Sequence, residues 1–218
     1  MLAIIPAKSF SKRLPNKNIK KLAGKPLIFH TIKSALKCKS ITRVIVSTDS
    51  KRIAKIAIQS GAEVPFLRNK NLTRDKTTSW EVLKDVLQKL SLIEKKRYES
   101  LIYLQPTSPL RSEKDIETAI KIFKRKKANA VISLYETKPN YWFKNLKKNG
   151  AIIEKAINKK NNYLLNGAIY VFKYNFLKNT SPNKYDKKTY GYIMPVERSI
   201  DIDTLHDFKI AEMIFKKK

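Results

Sequence analysis

Two short stretches of this sequence hold residue types suited to phosphate chemistry. The first, Ala7-Lys8-Ser9-Phe10-Ser11-Lys12-Arg13-Leu14-Pro15-Asn16-Lys17-Asn18, places four cations within ten residues, directly after an apolar run. Lysine ammonium groups and loop N–H donors at such a place would hold phosphate oxygens, although a solvated basic turn has the same composition. The stretch contains neither G-x-x-x-x-G-K-[ST] nor G-x-G-x-x-G, so neither a P-loop NTPase nor a dinucleotide-binding protein is supported. The second stretch is Ser199-Ile200-Asp201-Ile202-Asp203. Alternate residues of an extended segment share a face, so Asp201 and Asp203 converge while Ile200 and Ile202 turn toward the core. Two carboxylates without a neutralising base suit Mg2+, which binds through one or two carboxylates plus substrate phosphates. Asp203 or Thr204 could equally cap the last helix.

The elements that must position these stretches alternate. Leu2–Ile5, Arg43–Val46, Val64–Leu67, Leu101–Leu104 and Ala130–Leu134 are short, uniformly apolar runs that predict buried strands. Between them the spacing becomes helical: Ile28, Ile32, Ala35 and Leu36 after Pro26, then Ile53, Ile56 and Ala57, then Leu83, Val86, Leu87 and Leu90. Ile116, Ala119, Ile120 and Phe123 follow Ser112, which with Asp115 approximates a capping box. This order predicts an α/β protein with a mostly parallel open sheet and helices on both faces. Ligands of such sheets bind beyond the carboxyl ends of the strands. After Leu134 the pattern changes to a polar and aromatic stretch with weak periodicity. Ala168–Phe172 and Tyr190–Met194 then predict strands, and Thr204–Phe215 a last helix. Residues 1–218 are expected to form one domain, with 135–190 an extension inserted into the core and contacting a second subunit.

The chain has 218 residues, 38 Lys and 9 Arg, for a net charge of +29. Nucleic-acid binding is one source of such an excess. Surfaces that read bases favour the arginine fork, whereas these lysines are spread along helix faces and loops, which favours a lysine-rich composition instead. The field would still draw in a small polyanion such as a nucleoside triphosphate. Cys38 is the sole cysteine, leaving no intrachain disulfide and no cysteine-based zinc site. With no signal peptide and no apolar stretch long enough for a bilayer, a soluble cytoplasmic protein is expected. His30 and His206 lack a partner pattern and are expected at the surface or in packing, and Trp80 and Trp142 are expected as packing or interface groups. Asp49, after the second strand, is expected to cap a helix.

Several pieces resemble, in order and spacing, the acylneuraminate cytidylyltransferases. They include Ala3-Ile4-Ile5-Pro6-Ala7, Asn16-Lys17-Asn18-Ile19, Val44-Ile45-Val46-Ser47-Thr48-Asp49, Leu104-Gln105-Pro106-Thr107-Ser108-Pro109-Leu110-Arg111, Asn166-Gly167-Ala168-Ile169-Tyr170 and Ser199–Thr204. The resemblance runs from residue 2 to about 212. It implies a Rossmann-like nucleotidyltransferase fold with a small dimerisation extension. The implied reaction takes CTP and a nine-carbon 2-keto sugar acid (sialic, legionaminic or a related nonulosonic acid) to a CMP-sugar and pyrophosphate with Mg2+. By the same resemblance Lys12 and Lys17 would be catalytic phosphate ligands, and Asp201 and Asp203 the catalytic metal ligands. Ala7, Lys8, Asn18, Arg68 and Ser79 would contact the nucleotide, and Gln105 the sugar acid. A homodimer is implied, with no specific nucleic-acid or membrane partner. Where the family commonly has Arg followed by two small residues, this chain has Lys8-Ser9-Phe10. Rival readings are a pseudaminic or 3-deoxy-manno-octulosonic acid cytidylyltransferase, a basic nucleic-acid-binding protein and an inactive nucleotide-binding relative.

Overall fold

In the computed structural model, which describes residues 1–137, 145–146, 152–153, 162–181 and 184–216, the apolar runs assemble one six-stranded sheet. In chain order the elements are β1 (Leu2–Pro6), a small ladder of β2 (Lys21–Leu22) and β3 (Lys25–Pro26), α1 (Leu27–Lys37), β4 (Arg43–Ser47), α2 (Lys51–Gln59), α3 (Ser79–Glu94), β5 (Ser100–Leu104), α4 (Glu113–Arg125) and β6 (Ala130–Thr137). There follow a second small ladder of β7 (Asn145–Leu146) and β8 (Ile152–Ile153), then β9 (Asn162–Lys173), α5 (Tyr174–Asn179), β10 (Thr189–Ile193) and α6 (Leu205–Lys216).

The sheet order is β10-β6-β9-β5-β1-β4. β9 runs antiparallel to both its neighbours, and the other pairs are parallel. The two-residue period of each strand divides the core between the two faces. Ala3, Ile5, Val44, Val46, Ile102 and Leu104 meet the apolar stripes of α1, α2 and α4. Leu2, Ile4, Ile45, Leu101 and Phe172 meet α3 and α5, with Trp80 edge-on to Phe172 at 5.0 Å between ring centres. Each fully buried Leu or Ile contributes about 1.5–3 kcal/mol relative to an exposed one, so a polar residue on either inner face would be costly. A third cluster of Leu14, Leu22, Leu27, Ile202, Phe208 and Ala211 pins the first loop and the 199–203 segment to α6.

Caps set the helix starts. Ser112 and Asp115 form the expected capping box of α4, and Thr78 and Glu81 form another for α3. Thr204 and Asp207 bond reciprocally at the start of α6, so Thr204 is its cap and Asp203 is left free of that role. Ser50, whose hydroxyl accepts from Ile53 N at 3.3 Å, caps α2. Asp49 therefore does not have the capping role expected of it.

Two further expectations are corrected. Val64–Leu67 is not a strand: Glu63 makes one parallel bridge to Ile45 and the chain then leaves the sheet. Pro65, lacking an N–H, cannot continue the ladder. Within 135–190, β9 (Asn162–Lys173) is part of the core rather than of an extension, because it lies inside the sheet between β6 and β5. Only Ala168–Phe172 of β9 was expected as a strand, because Tyr163, Leu164 and Leu165 before it are exposed where β9 outruns the sheet along Leu134–Thr137. Trp142 and part of the suggested subunit contact lie outside the described residues. No helix among the described residues is long and apolar enough to cross a membrane.

Candidate active site

β1 and β5 are neighbours in the sheet although α1, β4, α2 and α3 lie between them in sequence. From β1 the chain crosses to β4 on one side and from β4 returns past β1 to β5 on the other, and the crevice at the carboxyl ends of β1 and β5 is where open α/β sheets bind ligands. A cleft of about 700 Å3 opens there. It is lined by Lys8, Lys12, Lys17, Asn18, Arg68, Ser79, Gln105, Asp201 and Asp203, so every candidate residue but one is brought together. The exception is Ala7, which is fully buried and donates its N–H to Ser47 O at 2.9 Å, leaving no amide for a phosphate.

The first loop is held as a fixed turn. Asn16 has φ 56°, a left-handed conformation that asparagine tolerates, and Leu14 is buried beneath it. Asn18 Nδ2 donates to Lys8 O at 3.0 Å, drawing the two ends of the loop together. Ser9 donates its N–H to Asp49 Oδ1 at 2.8 Å and its hydroxyl to Asp49 Oδ2. The Lys-Ser-Phe variation thus supplies an anchor, while Phe10 is 62% exposed beside it.

All four loop cations are paired with carboxylates. Asp75 takes Lys8 at 3.2 Å and Lys12 at 2.5 Å, and these bonds hold its carboxyl below the ordinary value. Asp203 takes Lys17 at 2.9 Å and Arg13 at 2.7 Å. Lys17 also donates to Ile202 O at 2.7 Å, fastening the aspartate segment to the loop. The expectation that the two aspartates lack a neutralising base therefore fails for Asp203. Asp201 differs: it forms no ion pair among the described residues, and burial of its inner side, together with Asp203 and Asp207, pushes its carboxyl up despite Thr107 and Lys17. Its outer side remains open to the cleft. An oxygen donor short of positive charge beside a second carboxylate fits a divalent cation completed by substrate phosphates. No group of three or more His, Cys, Asp or Glu that could hold a metal exists among the described residues.

The opposite wall is built by β5 and the turn after it. Gly167 has φ +70°, and a Cβ there would sit 2.8 Å from Gln105 Oε1, so only glycine lets the Gln105 amide pack over β9. Thr107 donates to Gln105 Oε1 at 3.2 Å. The register shift between Ile132 and Leu134 frees Asn166, which accepts from Ser133 Oγ at 2.6 Å and donates to Ser199 Oγ at 2.9 Å. This buried bridge fixes the start of the Asp201–Asp203 segment, and such bulges commonly re-aim chains beside functional sites. Arg68 is 6% exposed and spends its bonds on Ser47, with Nε to Ser47 Oγ at 3.0 Å and Nη2 to Ser47 O. Burial pushes its pKa down, partly offset by Asp49. Ser79 Oγ lies 3.0 Å from Tyr103 OH on the cleft's apolar side. His30 packs as expected, 2.9 Å from Leu22 O and against Phe215.

Arg74, Asp75, Thr77, Tyr103 and Thr107 also line the cleft and were not anticipated. Asp75 left one trace in the sequence: it is the sole acid in the basic stretch from Arg68 to Lys76. Tyr103 was hidden inside an apolar run.

An open α/β sheet with a basic loop and a carboxylate segment meeting at its switch point defines a nucleotidyltransferase of the Rossmann-like kind. A solved CMP:2-keto-3-deoxy-manno-octonic acid synthetase complexed with CTP has the same fold, with TM-score 0.70 and 16% identity over 99% of this chain and 98% of the other. Residues 2–216 match the family described as cytidylyltransferase. A CMP-N,N'-diacetyllegionaminic acid synthase of Legionella pneumophila is 36% identical over 99% of this chain and 96% of its own length. An N-acylneuraminate cytidylyltransferase of Escherichia coli O18:K1:H7 is 35% identical over 100% of this chain, which spans 52% of that protein. The chain belongs to the cytidylyltransferase family, as an enzyme of the acylneuraminate cytidylyltransferase type.

Proposed function

We propose that this enzyme transfers CMP from CTP to the anomeric hydroxyl of a nine-carbon 2-keto sugar acid. The observation that carries this reading is the single cleft in which the first-loop cations, Gln105 and the Asp201–Asp203 pair face one another. In the reaction the anomeric oxygen forms a bond to the α-phosphorus, the bond from that phosphorus to the pyrophosphate oxygen breaks, and the hydroxyl proton is released. Lys8, Lys12, Arg13 and Lys17 would offset charge on the triphosphate once it displaces Asp75 and Asp203 from them. Asn18, Arg68 and Ser79 would hold the cytidine end, and Gln105, fixed by Thr107 and Gly167, the sugar acid. Asp201 and Asp203 would hold Mg2+, which supplies charge neutralisation at the transferring phosphate.

The legionaminic and sialic acid relatives support a nonulosonic acid as the acceptor. The exposed Tyr163, Leu164 and Leu165 support a homodimer that covers this strand end. A CTP-consuming reaction of this kind belongs in the cytoplasm. The test is pyrophosphate release from CTP and Mg2+ with a panel of N-acetylneuraminic, legionaminic, pseudaminic and 3-deoxy-manno-octulosonic acids. Turnover with a C5-acylamino nonulosonic acid is expected, and no release with any acceptor would reject the reading.

A further inference from the structure

Tyr103 lines the cleft yet has no part in the reaction as proposed. It is 3% exposed and belongs to the apolar cluster of Ile4, Leu83, Leu101 and Phe172. Its ring lies 5.2 Å from that of Tyr170, its partner across the β5–β9 ladder. A leucine or phenylalanine would fill such a place without burying a hydroxyl, and a buried hydroxyl is costly unless it is hydrogen-bonded. The Tyr103 hydroxyl is bonded, at 3.0 Å, to Ser79 Oγ at the start of α3, where Ser79 also lines the cleft.

The direction of this bond decides what Ser79 can do. Each hydroxyl has a single proton, so the bond between them uses one and leaves one. A phenol is the stronger acid and the weaker acceptor of the two, which favours Tyr103 O–H giving its proton to Ser79 Oγ. Gln105 stands two residues along the same face of the extended chain, but its Oε1 already accepts from Thr107 at 3.2 Å. Burial pushes the phenol's pKa up, against Ser79 and Gln105, so the proton stays on Tyr103 at neutral pH. Ser79 is the half-buried member of the pair, and its hydroxyl makes no other hydrogen bond among the described residues. We propose that Tyr103 is a positioning residue: it donates to Ser79 Oγ and so turns the Ser79 proton out into the cleft, toward an acceptor on the nucleotide. Without that bond the serine hydroxyl rotates freely. The proposal rests on the reading that Ser79 holds the cytidine end.

Calorimetric titration of the full chain with CTP and with CMP, which share the cytidine end, tests this. Tyr103→Phe removes one oxygen and keeps the ring against Tyr170, so its circular dichroism should match that of the parent. It should weaken both nucleotides by the same factor, about two- to tenfold, the worth of one neutral hydrogen bond. Ser79→Ala should weaken them by at least as much. The double variant should lose no more than Ser79→Ala alone, because Tyr103 has nothing to orient once the serine hydroxyl is gone. A tyrosine with a merely structural role would instead give losses that multiply. Multiplied losses, or parent affinity in Tyr103→Phe, would overturn the proposal. Unchanged affinity in Ser79→Ala, with the parent binding CTP, would take Ser79 away from the nucleotide and overturn it too. A parent that binds neither nucleotide would reject the proposed function itself, and this inference with it.

Discussion

Arg198→Met isolates the contact that moors the Ser199–Asp203 segment to the core. Arg198 grips Asp115 with two bonds, Nε to Oδ2 at 2.9 Å and Nη2 to Oδ1 at 2.8 Å. Asp115 is 1% exposed, and burial would push its carboxyl up, yet the bonds from Arg198, Ser112 and Tyr192 bring it down to about 2. Breaking a buried pair from one side costs about 3–5 kcal/mol. Here Ser112 N and Oγ and Tyr192 OH still solvate the stranded carboxylate, so the lower end, about 3 kcal/mol, is expected. For a chain of this size that lowers Tm by about 6–12 °C. The pH dependence carries the sign. In the parent a depressed carboxyl stabilises the fold fully above its ordinary value and loses that contribution only as pH falls through about 2. In the variant the same carboxyl is buried without its cation, its pKa rises, and acidification relieves it. The stability gap between the two proteins should therefore narrow from neutral pH toward about pH 4. Urea unfolding followed by circular dichroism across that range reads both quantities. A gap below about 1 kcal/mol at neutral pH, the value of an exposed pair, or one independent of pH, would refute the reasoning.

Asp201→Asn and Asp203→Asn should each lower turnover by at least about a hundredfold, as for other lost electrostatic stabilisers, with the fold intact by circular dichroism; near-normal Mg2+-dependent rates in both would remove the metal assignment. Gly167→Ala places a Cβ 2.8 Å from Gln105 Oε1 at a positive φ, so KM for the sugar acid should rise more than KM for CTP in steady-state kinetics, and equal changes would detach Gln105 from the sugar. Asp75→Asn releases Lys8 and Lys12; KM for CTP should fall while affinity for CMP, which lacks the terminal phosphates, stays unchanged in calorimetry. A raised KM for CTP would instead give Asp75 a direct part in binding.

What the sequence made legible follows from what is local. The strands β1, β4, β5 and β6 declare themselves as uniformly apolar runs and the helices between them by an apolar period, and the Ser112–Asp115 box is four residues long. The cleft was legible where a motif sits at a strand end, as with Lys12, Lys17 and Gln105. What escaped depends on pairings distant in sequence. Asp75 meets Lys8 and Lys12 across more than sixty intervening residues, and no period marks a carboxylate in a loop. Of β9 only Ala168–Phe172 was legible, because the half before it is exposed beyond the rest of the sheet, so neither the uniform nor the alternating pattern runs its length. Asp49 escaped because Ser50, one residue on, is an equally good cap; the structure uses the serine for α2 and the aspartate for Ser9.

The charge of the chain and the charge of its cleft are different quantities. A net +29 sets the far field that draws in polyanions and is screened beyond about 10 Å at 0.1 M salt. At the site the loop cations are already bonded to Asp75 and Asp203, so a triphosphate held by them, as proposed, would enter by exchange, oxygen for oxygen, rather than by adding charge to bare ammonium groups. Exchange makes geometry decisive: a ligand gains only if its phosphates reach both pairs at once, and that spacing is set by Asn16, Asn18 and Leu14 beneath the loop. A short or singly charged anion must give up one internal bond for each it makes. On the proposed binding mode the paired state would let a strongly basic protein discriminate among anions, and it would place the selectivity for a triphosphate in the loop's turn as much as in its charges.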